Sequence, residues 1–400
     1  MALTYSTDII IFGGGIAGLW LLTRLQREGY DPILLETESA GGKQTIASQG
    51  IIHGGLKYAL TGKITEAANA VSAMPLRWRQ CLAGKGDVDL TGVKVLSEHY
   101  YMWSDAGLRS KIKSFLGSKA LLGKVKALKK SEYSEFFKYA TVSGSLYELP
   151  DFVIDTKSLV EKLVSDCRDR IFHLKMSDVA FVYDRAAGKH SLQIGVNNKQ
   201  VVLNAEKFIF SAGEGNSQLI EMASLDTIRP QIRPLHMVYL SNNDLPELYA
   251  HCIGDSFSLT PKLTITSHKG RNGDTVWYLG GDIAESGIQR TQNAQIIYAK
   301  KLLGDLFPWV NLNDADWNTF FINRAEGKIK GNHRPDSAVL GDEGNVLVVW
   351  PTKLTLTPSL ADKVIEHCKL REIKMLNNAG NLPKLRSLFQ QPKLARAKWE

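Results

Sequence analysis

One stretch near the N-terminus constrains the fold most, because it reads as strand, glycine-rich turn, helix and strand in that order. Residues 9–12 are a short apolar run, and Gly13, Gly15 and Gly18 follow it with the spacing G-x-G-x-x-G. A second apolar run ends at Glu36. Short apolar runs closed by glycine are typical of buried parallel strands, so this stretch predicts a βαβ unit.

Each glycine of this motif has a task that a side chain would obstruct. Gly13 makes the tight turn, Gly15 lets the backbone approach a pyrophosphate, and Gly18 lets the helix pack closely on the strand. The helix N-terminus adds unpaired N–H groups and the positive end of a dipole. A carboxylate at Glu36 can accept from both ribose hydroxyls of an adenosine, which disfavours a 2′-phosphate. We therefore expect an adenine dinucleotide, NAD or FAD rather than NADP.

Length and composition limit the class of protein. The chain has 400 residues, with 44% hydrophobic and 22% charged residues, which suits a globular protein of two intertwined domains. Its four cysteines are far apart and lack C-x-x-C spacing, so we expect reduced thiols and neither a disulfide framework nor a metal site. The first strand begins by Asp8, which leaves no room for a signal peptide, and no apolar run is long enough to span a bilayer. These features predict a cytoplasmic protein.

Positive charge is concentrated in two places. The net charge is +8 with a pI near 9.1, and residues 108–130 contain eight lysines and arginines without an acid. Apolar residues interleave with these lysines, as in an amphipathic helical pair that forms a cap or rests on a membrane. The segment at 376–400 is a second basic stretch. Such patches attract anionic lipid, nucleic acid or an anionic substrate, and the alternative is an ordinary solvated face.

The loop after Glu36 is rich in glycine and small polar residues, which suits a backbone cradle for phosphate and ring edges. Because it follows the adenosine strand directly, we expect it to run along the rest of the cofactor. With the helix start, the predicted cofactor contacts here are Ile16, Ala17, Thr37, Gly42, Lys43, Gln44, Thr45, Ser48, Gln49 and Gly50.

Residues 48–58 read Ser-Gln-Gly-Ile-Ile-His-Gly-Gly-Leu-Lys-Tyr. Together with the glycine motif, this segment resembles the D-amino-acid oxidase superfamily of FAD enzymes. It is most similar to FAD-dependent glycerol-3-phosphate and L-2-hydroxyglutarate dehydrogenases, whose corresponding loop carries a histidine, small residues and an aromatic. The resemblance implies FAD in place of NAD. It also implies that His53 lies near the flavin ring, and it makes Tyr58 a candidate substrate contact.

Two later segments match the same superfamily. Residues 206–211 form a second apolar strand that ends in Ala212 and Gly213, and in the superfamily this strand returns beside the first and closes over the pyrophosphate. Val179 stands where relatives contact adenine through the backbone. The resemblance therefore implies that features about 200 residues apart converge on one ligand.

Residues 229–290 alternate apolar and polar side chains, which predicts antiparallel strands. In relatives such a sheet forms the substrate domain and roofs the flavin. His236, Tyr239 and Tyr278 can present polar tips to substrate from this sheet, and the alternative for each is a structural hydrogen bond.

The chain then returns towards the dinucleotide domain through Arg324 and through Arg334, which precedes a Pro-Asp turn. An arginine so placed can hold a substrate carboxylate or phosphate; Arg324 is the first choice and Arg334 the second, and the alternative for each is an ion pair with Asp336 or Glu326.

The final turn departs from the superfamily pattern. Where relatives usually show glycines, this chain has Thr352, Lys353 and Leu354, whose backbone can still face the pyrimidine edge of the flavin. The Lys353 ammonium would stabilise the negative charge of a reduced flavin.

The sequence thus predicts an α/β protein with a Rossmann-like FAD-binding domain of the glutathione-reductase type and an inserted antiparallel-sheet substrate domain. The expected FAD-binding domain is 1–82, 151–225 and 320–375, and the substrate and cap domain is 83–150 and 226–319. Residues 376–400 are expected to be a basic tail.

The expected activity is hydride removal from a C–OH or C–NH2 carbon of a small anionic substrate, such as a 2-hydroxy acid or an amino acid. His53 is the candidate base, Arg324 the anion clamp and Lys353 the support for the ring. The alternatives for His53 are packing against the flavin or a covalent bond to it. The electron acceptor is O2 or a quinone.

Two other functions stay open. One is a quinone-linked dehydrogenase that contacts the inner face of the cell membrane through residues 108–130. The other is a flavoenzyme acting on a modified nucleic-acid base, for which the chain carries no specific nucleic-acid motif.

Overall fold

The predicted strand, turn, helix and strand are present, and both strands lie inside the first of two eight-stranded sheets. The computed structural model describes residues 3–55, 66–105, 125–141, 144–196, 199–227, 229–253, 261–329, 335–376 and 382–400. The strands are β1 (Leu3–Phe12), β2 (Pro32–Glu36), β3 (Ser39–Ala40), β4 (Ile51–Ile52), β5 (Val95–Ser97), β6 (Tyr100–Asp105), β7 (Lys126–Ala127), β8 (Gly144–Leu149), β9 (Phe152–Ile154), β10 (Ile171–His173), β11 (Val179–Asp184), β12 (Lys189–Val196), β13 (Lys199–Phe210), β14 (Pro230–Asn242), β15 (Ala250–Ile253), β16 (Leu263–Lys269), β17 (Thr275–Gly280), β18 (Asp316–Gly327), β19 (Val339–Glu343), β20 (Val346–Trp350) and β21 (Lys393–Leu394). The α-helices are α1 (Ile16–Arg27), α2 (Glu66–Leu82), α3 (Glu135–Lys138), α4 (Thr156–Asp166), α5 (Asn216–Met222), α6 (Asp282–Ser286), α7 (Gln292–Leu306), α8 (Thr357–Leu370) and α9 (Leu382–Leu388).

The first sheet has the strand order β10-β2-β1-β13-β12-β11, with β20 pairing β13 and β19 pairing β20. Strands β10, β2, β1, β13 and β20 pair with one another in parallel. At the margins, β12 pairs antiparallel with β13, β11 with β12, and β19 with β20. Strand β13 returns beside β1 over its whole length, so two segments about 200 residues apart are neighbours. The cleft that concerns function opens at the carboxyl ends of β1, β2 and β13, where parallel sheets bind ligands.

Strand β1 is buried on both faces, as its unbroken apolar run predicts. Ile9 and Ile11 pack into the core under α1, α2, α4 and α8. Ile10 and Phe12 pack into a second core with α5 and α9. A strand covered by helices on both sides is the arrangement of a doubly wound α/β domain. The predicted α/β fold is confirmed.

The second sheet has the order β18-β14-β17-β16-β15-β6-β8-β7 and is antiparallel except where β15 runs parallel to β6. Side chains alternate between its faces. Val238 and Leu240 of β14 pack with α7 in one core, whereas Leu235 and Met237 face a cavity on the other side. The predicted antiparallel sheet is therefore present, and one of its faces forms a wall of that cavity.

Residues 382–400 pack on both sheets. Leu382, Leu385 and Phe389 enter the core of the first sheet, and β21 pairs with β3. Trp399 packs against Tyr278 of the second sheet, with ring centroids 4.8 Å apart. The expected basic tail therefore has a structural role in this chain.

The other basic segment, at 108–130, lies outside the described residues as far as residue 124. In its remainder, Lys126 pairs with Glu132 at 2.8 Å. All four cysteines are buried and free, as expected. In the part of the chain that the structure describes, no helix is long and apolar enough to cross a membrane.

We predict that Gly18→Ala destabilises the protein and Gly304→Ala does not. A Cβ at Gly18 would lie 2.0 Å from the Gly13 carbonyl oxygen, whereas a Cβ at Gly304 meets nothing within 4 Å. Urea unfolding should show that Gly18→Ala lowers the free energy of unfolding by about 1–3 kcal/mol, as at overpacked sites. Gly304→Ala, inside α7, should raise the free energy of unfolding by about 0.5–1 kcal/mol, because alanine is the better helix former. Equal stability of the two variants would contradict the close packing of α1 on the turn.

Candidate active site

The glycine turn brings the ends of β1 and β13 into contact. Gly13 has φ +100°, and a Cβ there would lie 2.5 Å from the Cα of Ala212. Ser211 Oγ donates to the Phe12 carbonyl at 2.9 Å. A Cβ at Gly15, which precedes α1, would have Thr45 Oγ1 as its nearest neighbour, at 3.2 Å. The first glycine is thus required by packing, and Gly15 leaves backbone open towards the cleft.

Glu36 at the end of β2 is held by backbone N–H groups. Its carboxylate accepts from Gly14 N, from Thr37 N at 2.8 Å and from Glu38 N at 2.7 Å. Burial raises the pKa of the carboxyl group, and these backbone donors oppose the rise. Two oxygens fixed at the mouth of the cleft suit the ribose hydroxyls of an adenosine.

A cavity of about 420 Å³ runs from Glu36 along the glycine turn. Most of the predicted cofactor residues line it: Gly13, Gly15, Ile16, Ala17, Glu36, Thr37, Gly42, Lys43, Gln44, Thr45, Ser48, Ala212, Gly213, Thr352, Lys353 and Leu354. Gly18 instead packs under the turn, and Val179 starts β11 in the core behind it. The cavity is also lined by Met176, Ser217, Gln218 and Asn323, which no motif in the sequence marks.

A second cavity, of about 320 Å³, continues from the first. The residues that line both are Gln44, Ser48, Asn323, Thr352, Lys353 and Leu354. The predicted cofactor residues Gln49 and Gly50 line the second cavity, as does His53. The cleft therefore extends from Glu36 to His53, as an extended dinucleotide requires.

The turn that lacks glycines nevertheless adopts a conformation that glycine favours. Thr352 has φ +68°, which is unusual for a β-branched residue and costs energy. Its hydroxyl donates to the Ser337 carbonyl at 3.0 Å, and its side chain is buried. The tertiary structure therefore holds Thr352 in place and keeps the turn beside Lys353 open to the cleft.

His53 is paired with a buried carboxylate. Its Nδ1 lies 3.1 Å from Asp151 Oδ2, and Asp151 Oδ1 accepts from Gly54 N at 2.8 Å. The His53 side chain is 36% exposed and Asp151 only 3%. The ring of His251 lies parallel to that of His53, with centroids 5.8 Å apart. All three residues line the second cavity.

Arg324 of β18 lines the same cavity and has two carboxylate neighbours. Its Nε lies 3.3 Å from Glu326 Oε1, and one terminal nitrogen lies 3.2 Å from Glu285 Oε1. Glu326 is fully buried and also faces Arg233 Nε at 3.2 Å. The ion pair with Glu326 that the sequence left open is thus formed, and Arg324 still lines the cavity.

The three polar candidates from the substrate sheet have structural partners. His236 Nδ1 lies 2.9 Å from the Gly287 carbonyl, Tyr239 donates to the Lys398 carbonyl at 3.2 Å, and Tyr278 donates to the Ala47 carbonyl at 2.7 Å. None of them is among the described residues that line the second cavity. Tyr58 and Arg334 lie outside the described residues.

Asp151, His251 and Glu285 were missed by sequence analysis. Asp151 stands between β8 and β9, and His251 is one histidine in an apolar strand. Neither has a neighbour in sequence that marks it as functional. They come together through tertiary structure: β4, which precedes His53, pairs with β9, which follows Asp151, and His251 lies on β15 of the second sheet.

The fold and the cleft together define an FAD-binding oxidoreductase. The chain belongs to the DAO family, FAD dependent oxidoreductases, whose family model matches residues 8–338. It is therefore an FAD-dependent oxidoreductase, and FAD is its cofactor. The family and cofactor predicted from the sequence are confirmed.

Similarity to known proteins extends over nearly the whole chain. The probable FAD-dependent oxidoreductase PA4991 of Pseudomonas aeruginosa is 41% identical over 396 residues, which is 99% of this chain and 98% of that protein. Its crystal structure matches with a TM-score of 0.83 at 36% identity, covering 100% of this chain and 98% of that chain. L-α-glycerophosphate oxidase from Mycoplasma pneumoniae, solved with FAD bound, has a TM-score of 0.65 at 14% identity, covering 90% and 94%. This last likeness shows the fold alone.

We predict that Glu36→Gln weakens FAD binding about tenfold, because a neutral acceptor replaces a charged one. Titration of the apoprotein with FAD, followed by flavin fluorescence, measures the dissociation constant. Glu206→Gln is the matched control, since that glutamate pairs with Lys189 on the surface. An unchanged constant for Glu36→Gln would show that the carboxylate does not bind the ribose.

Proposed function

We propose that the protein oxidises a small anionic substrate at a carbon that bears OH or NH2, such as a 2-hydroxy acid or an amino acid. His53 takes the proton from the substrate heteroatom, Arg324 holds the anionic group, and Lys353 stabilises charge at the ring end of the cofactor. The observation that carries the proposal is that a His–Asp pair and an arginine line one cavity of about 320 Å³ that continues the cofactor cleft.

The His53–Asp151 pair is suited to proton acceptance. An ionised carboxylate beside Nδ1 favours the tautomer with its proton on Nδ1, which leaves Nε2 with a free lone pair. When the substrate proton moves to Nε2, the resulting imidazolium is stabilised by Asp151. Bound FAD supplies the electron sink that receives the hydride from the substrate carbon.

Arg324 is suited to orienting the substrate. Glu326, buried behind it, fixes the guanidinium, while Glu285 is 38% exposed at the cavity. A substrate carboxylate or phosphate can replace Glu285 as the partner of the terminal nitrogens. Orientation by such a grip converts binding into a defined approach of the substrate carbon.

Lys353 lies where the two cavities meet. Its cationic side chain supports negative charge that develops at this end of the cleft. The helix α8 begins shortly after it, at Thr357, and adds its positive dipole end. Both features act in the same direction.

The names of structural neighbours agree with this class of chemistry. Besides the glycerophosphate oxidase they include glycine oxidases and an iminodiacetate oxidase, whose identities of 12% to 16% to this chain support a shared fold. The acceptor of the electrons, O2 or a quinone, stays open in this proposal. No observation on the described residues favours the membrane or nucleic-acid alternatives.

We predict that at least one compound from a panel of 2-hydroxy acids, glycerol 3-phosphate and amino acids bleaches the bound flavin under anaerobic conditions. Visible absorbance of the holoenzyme measures the reduction, and dithionite provides the fully reduced reference. If no compound of the panel reduces the flavin while dithionite does, the proposed substrate class is wrong.

We predict that Arg324→Lys raises the KM for the reducing compound about tenfold to a hundredfold, as expected for loss of a charge-assisted hydrogen bond. The effect on kcat should be smaller, because the lysine keeps the charge. Arg233→Lys is the matched control, since Arg233 also faces Glu326 but does not appear among the described residues lining the cavity. Equal KM values for the two variants would remove Arg324 as the anion clamp.

A further inference from the structure

His251 is a buried imidazole that the proposed function does not use. It lies on β15, where Ala250 and Cys252 point into the core and His251 lines the cavity. Its ring packs against the Tyr100 ring, with centroids 4.5 Å apart, and lies parallel to the His53 ring. Its Nδ1 is buried and has no hydrogen-bond partner within the described residues.

Burial keeps this imidazole neutral. Desolvation, with a smaller contribution from His53, lowers the pKa of His251 to about 3, and Asp151 only partly opposes the shift. A neutral imidazole carries one N–H and one acceptor nitrogen. A proton on Nδ1 would leave a buried donor unmet, which is costly. The tautomer with the proton on Nε2 is therefore favoured.

His53 has the opposite arrangement. Asp151 accepts from Gly54 N, and its other oxygen lies 3.1 Å from His53 Nδ1. A carboxylate at that position favours the tautomer of His53 with its proton on Nδ1, which leaves Nε2 as the acceptor. The two parallel imidazoles of this cavity thus differ at Nε2: the Nε2 of His53 can accept a hydrogen bond, and the Nε2 of His251 can donate one. Among the described residues, the other charged groups on the cavity wall are Glu285, Arg324 and Lys353. Tyr100 is neutral, because burial raises its pKa.

We propose that Asp151 and His251 complete the substrate site around His53. Asp151 is a positioning residue that holds His53 in the tautomer able to take a proton, and His251 donates a hydrogen bond from Nε2 to an oxygen of the substrate. This inference rests on the proposed function, since it assigns partners to the same base.

In the reaction, the substrate O–H or N–H bond breaks and its proton goes to His53 Nε2. The electron pair of that bond forms the C=O or C=N bond, and the hydride leaves the carbon for FAD. His251 keeps its proton throughout and stabilises negative charge on the substrate oxygen that accepts its hydrogen bond. Atoms and charge therefore balance without another reactant.

A divalent cation is the competing occupant of this cluster. The ligand atoms of His53, Asp151 and His251 lie within 4.8 Å of one another, and two imidazoles with one carboxylate can bind such an ion. The 3.1 Å separation of Nδ1 and Oδ2 is already that of a hydrogen bond, which favours a proton between them. Metal analysis of the purified holoenzyme tests this point, and one bound Zn²⁺, Mn²⁺ or Fe²⁺ per chain that is lost in Asp151→Asn would overturn the proposal.

The tautomers are tested without turnover. Long-range ¹H–¹⁵N spectra of holoenzyme labelled with ¹⁵N-histidine, assigned with single variants, report which nitrogen of each ring is protonated. We expect His251 to be neutral with its proton on Nε2 between pH 5 and 8, and neutral His53 to carry its proton on Nδ1. A proton on Nδ1 of His251, or titration of His251 in this range, would overturn its assignment as the donor.

The role of Asp151 is tested with Asp151→Asn, using the compound that reduces the wild-type flavin. The asparagine oxygen can keep the Gly54 N–H, but its amide nitrogen would face His53 Nδ1 and favour the wrong tautomer. We expect the anaerobic rate of flavin reduction to fall about 10²- to 10⁴-fold, with substrate Kd within about threefold. In the ¹⁵N-histidine spectra, the proton of neutral His53 should move from Nδ1 to Nε2 as well.

Asp155→Asn is the matched control for Asp151→Asn. Asp155 caps α4 and an asparagine preserves that cap, so the rate should stay within about twofold of wild type. FAD content and Tm of both variants are measured first. If a panel compound reduces the flavin of Asp151→Asn as fast as that of wild type, Asp151 is not a positioning residue. If no panel compound reduces the wild-type flavin, the proposed function is wrong instead.

The role of His251 is tested with His251→Phe, which keeps an aromatic ring beside His53 and removes the donor. We expect flavin reduction to slow about tenfold to a hundredfold, the effect of losing one donor to a charged oxygen. His268→Phe is the matched control: His268 is a buried imidazole on β16 that contacts Thr266 and Trp399. Equal reduction rates in the two variants would overturn the proposal for His251.

Discussion

The contact between Gly13 and Ala212 is the constraint on which the rest of the structure depends. It joins the carboxyl ends of β1 and β13, and a Cβ on Gly13 would lie 2.5 Å from the Ala212 backbone. Because the two ends meet, the turn after each strand is forced outward into the cleft. Helix α1 then starts at the turn, and Gly18 allows it to pack there without a gap. The cofactor cleft is therefore a consequence of strand pairing, and its backbone donors are fixed before any ligand binds.

A second junction fixes the position of the antiparallel sheet relative to that cleft. Gln49 donates to the Tyr278 carbonyl at 2.9 Å and to the Thr264 carbonyl at 3.3 Å, and it accepts from the Thr264 hydroxyl at 2.7 Å. One side chain thus ties the loop that follows the adenosine strand to the antiparallel sheet. Gln44 precedes Gln49 in the chain and lines both cavities, whereas His53 follows Gln49 and lines only the second cavity. The loop is therefore divided into a part that lines the first cavity and a part that lines only the second, which the proposed function assigns to the substrate.

The sequence was informative where a local pattern is required, as at Gly13, Gly18 and Glu36, and most of the residues that it predicts at the cofactor end line the first cavity. It was less informative on the second sheet, because alternation does not say which face a ligand meets. Leu235 and Met237 face the cavity, so His236 between them points away. Tyr278 is covered by residues near the end of the chain, which no local pattern reveals. Asp151 and His251 belong to the cluster only through tertiary contacts.

The ion pairs of Arg324 at the second cavity differ in exposure, and under the proposed function this difference affects how a substrate would bind. Glu326 is fully buried beside Arg324 and Arg233, so removing it would leave the mostly buried guanidinium of Arg324 without its buried partner. Glu285 is more exposed, and its pairing with Arg324 competes with water and with any incoming anion. Under the proposed function, an anionic substrate that replaces Glu285 would exchange one ion pair for another, while Glu326 keeps the guanidinium oriented. The binding energy of such a substrate would then be available mainly for orienting its reactive carbon towards His53 and the cofactor cleft.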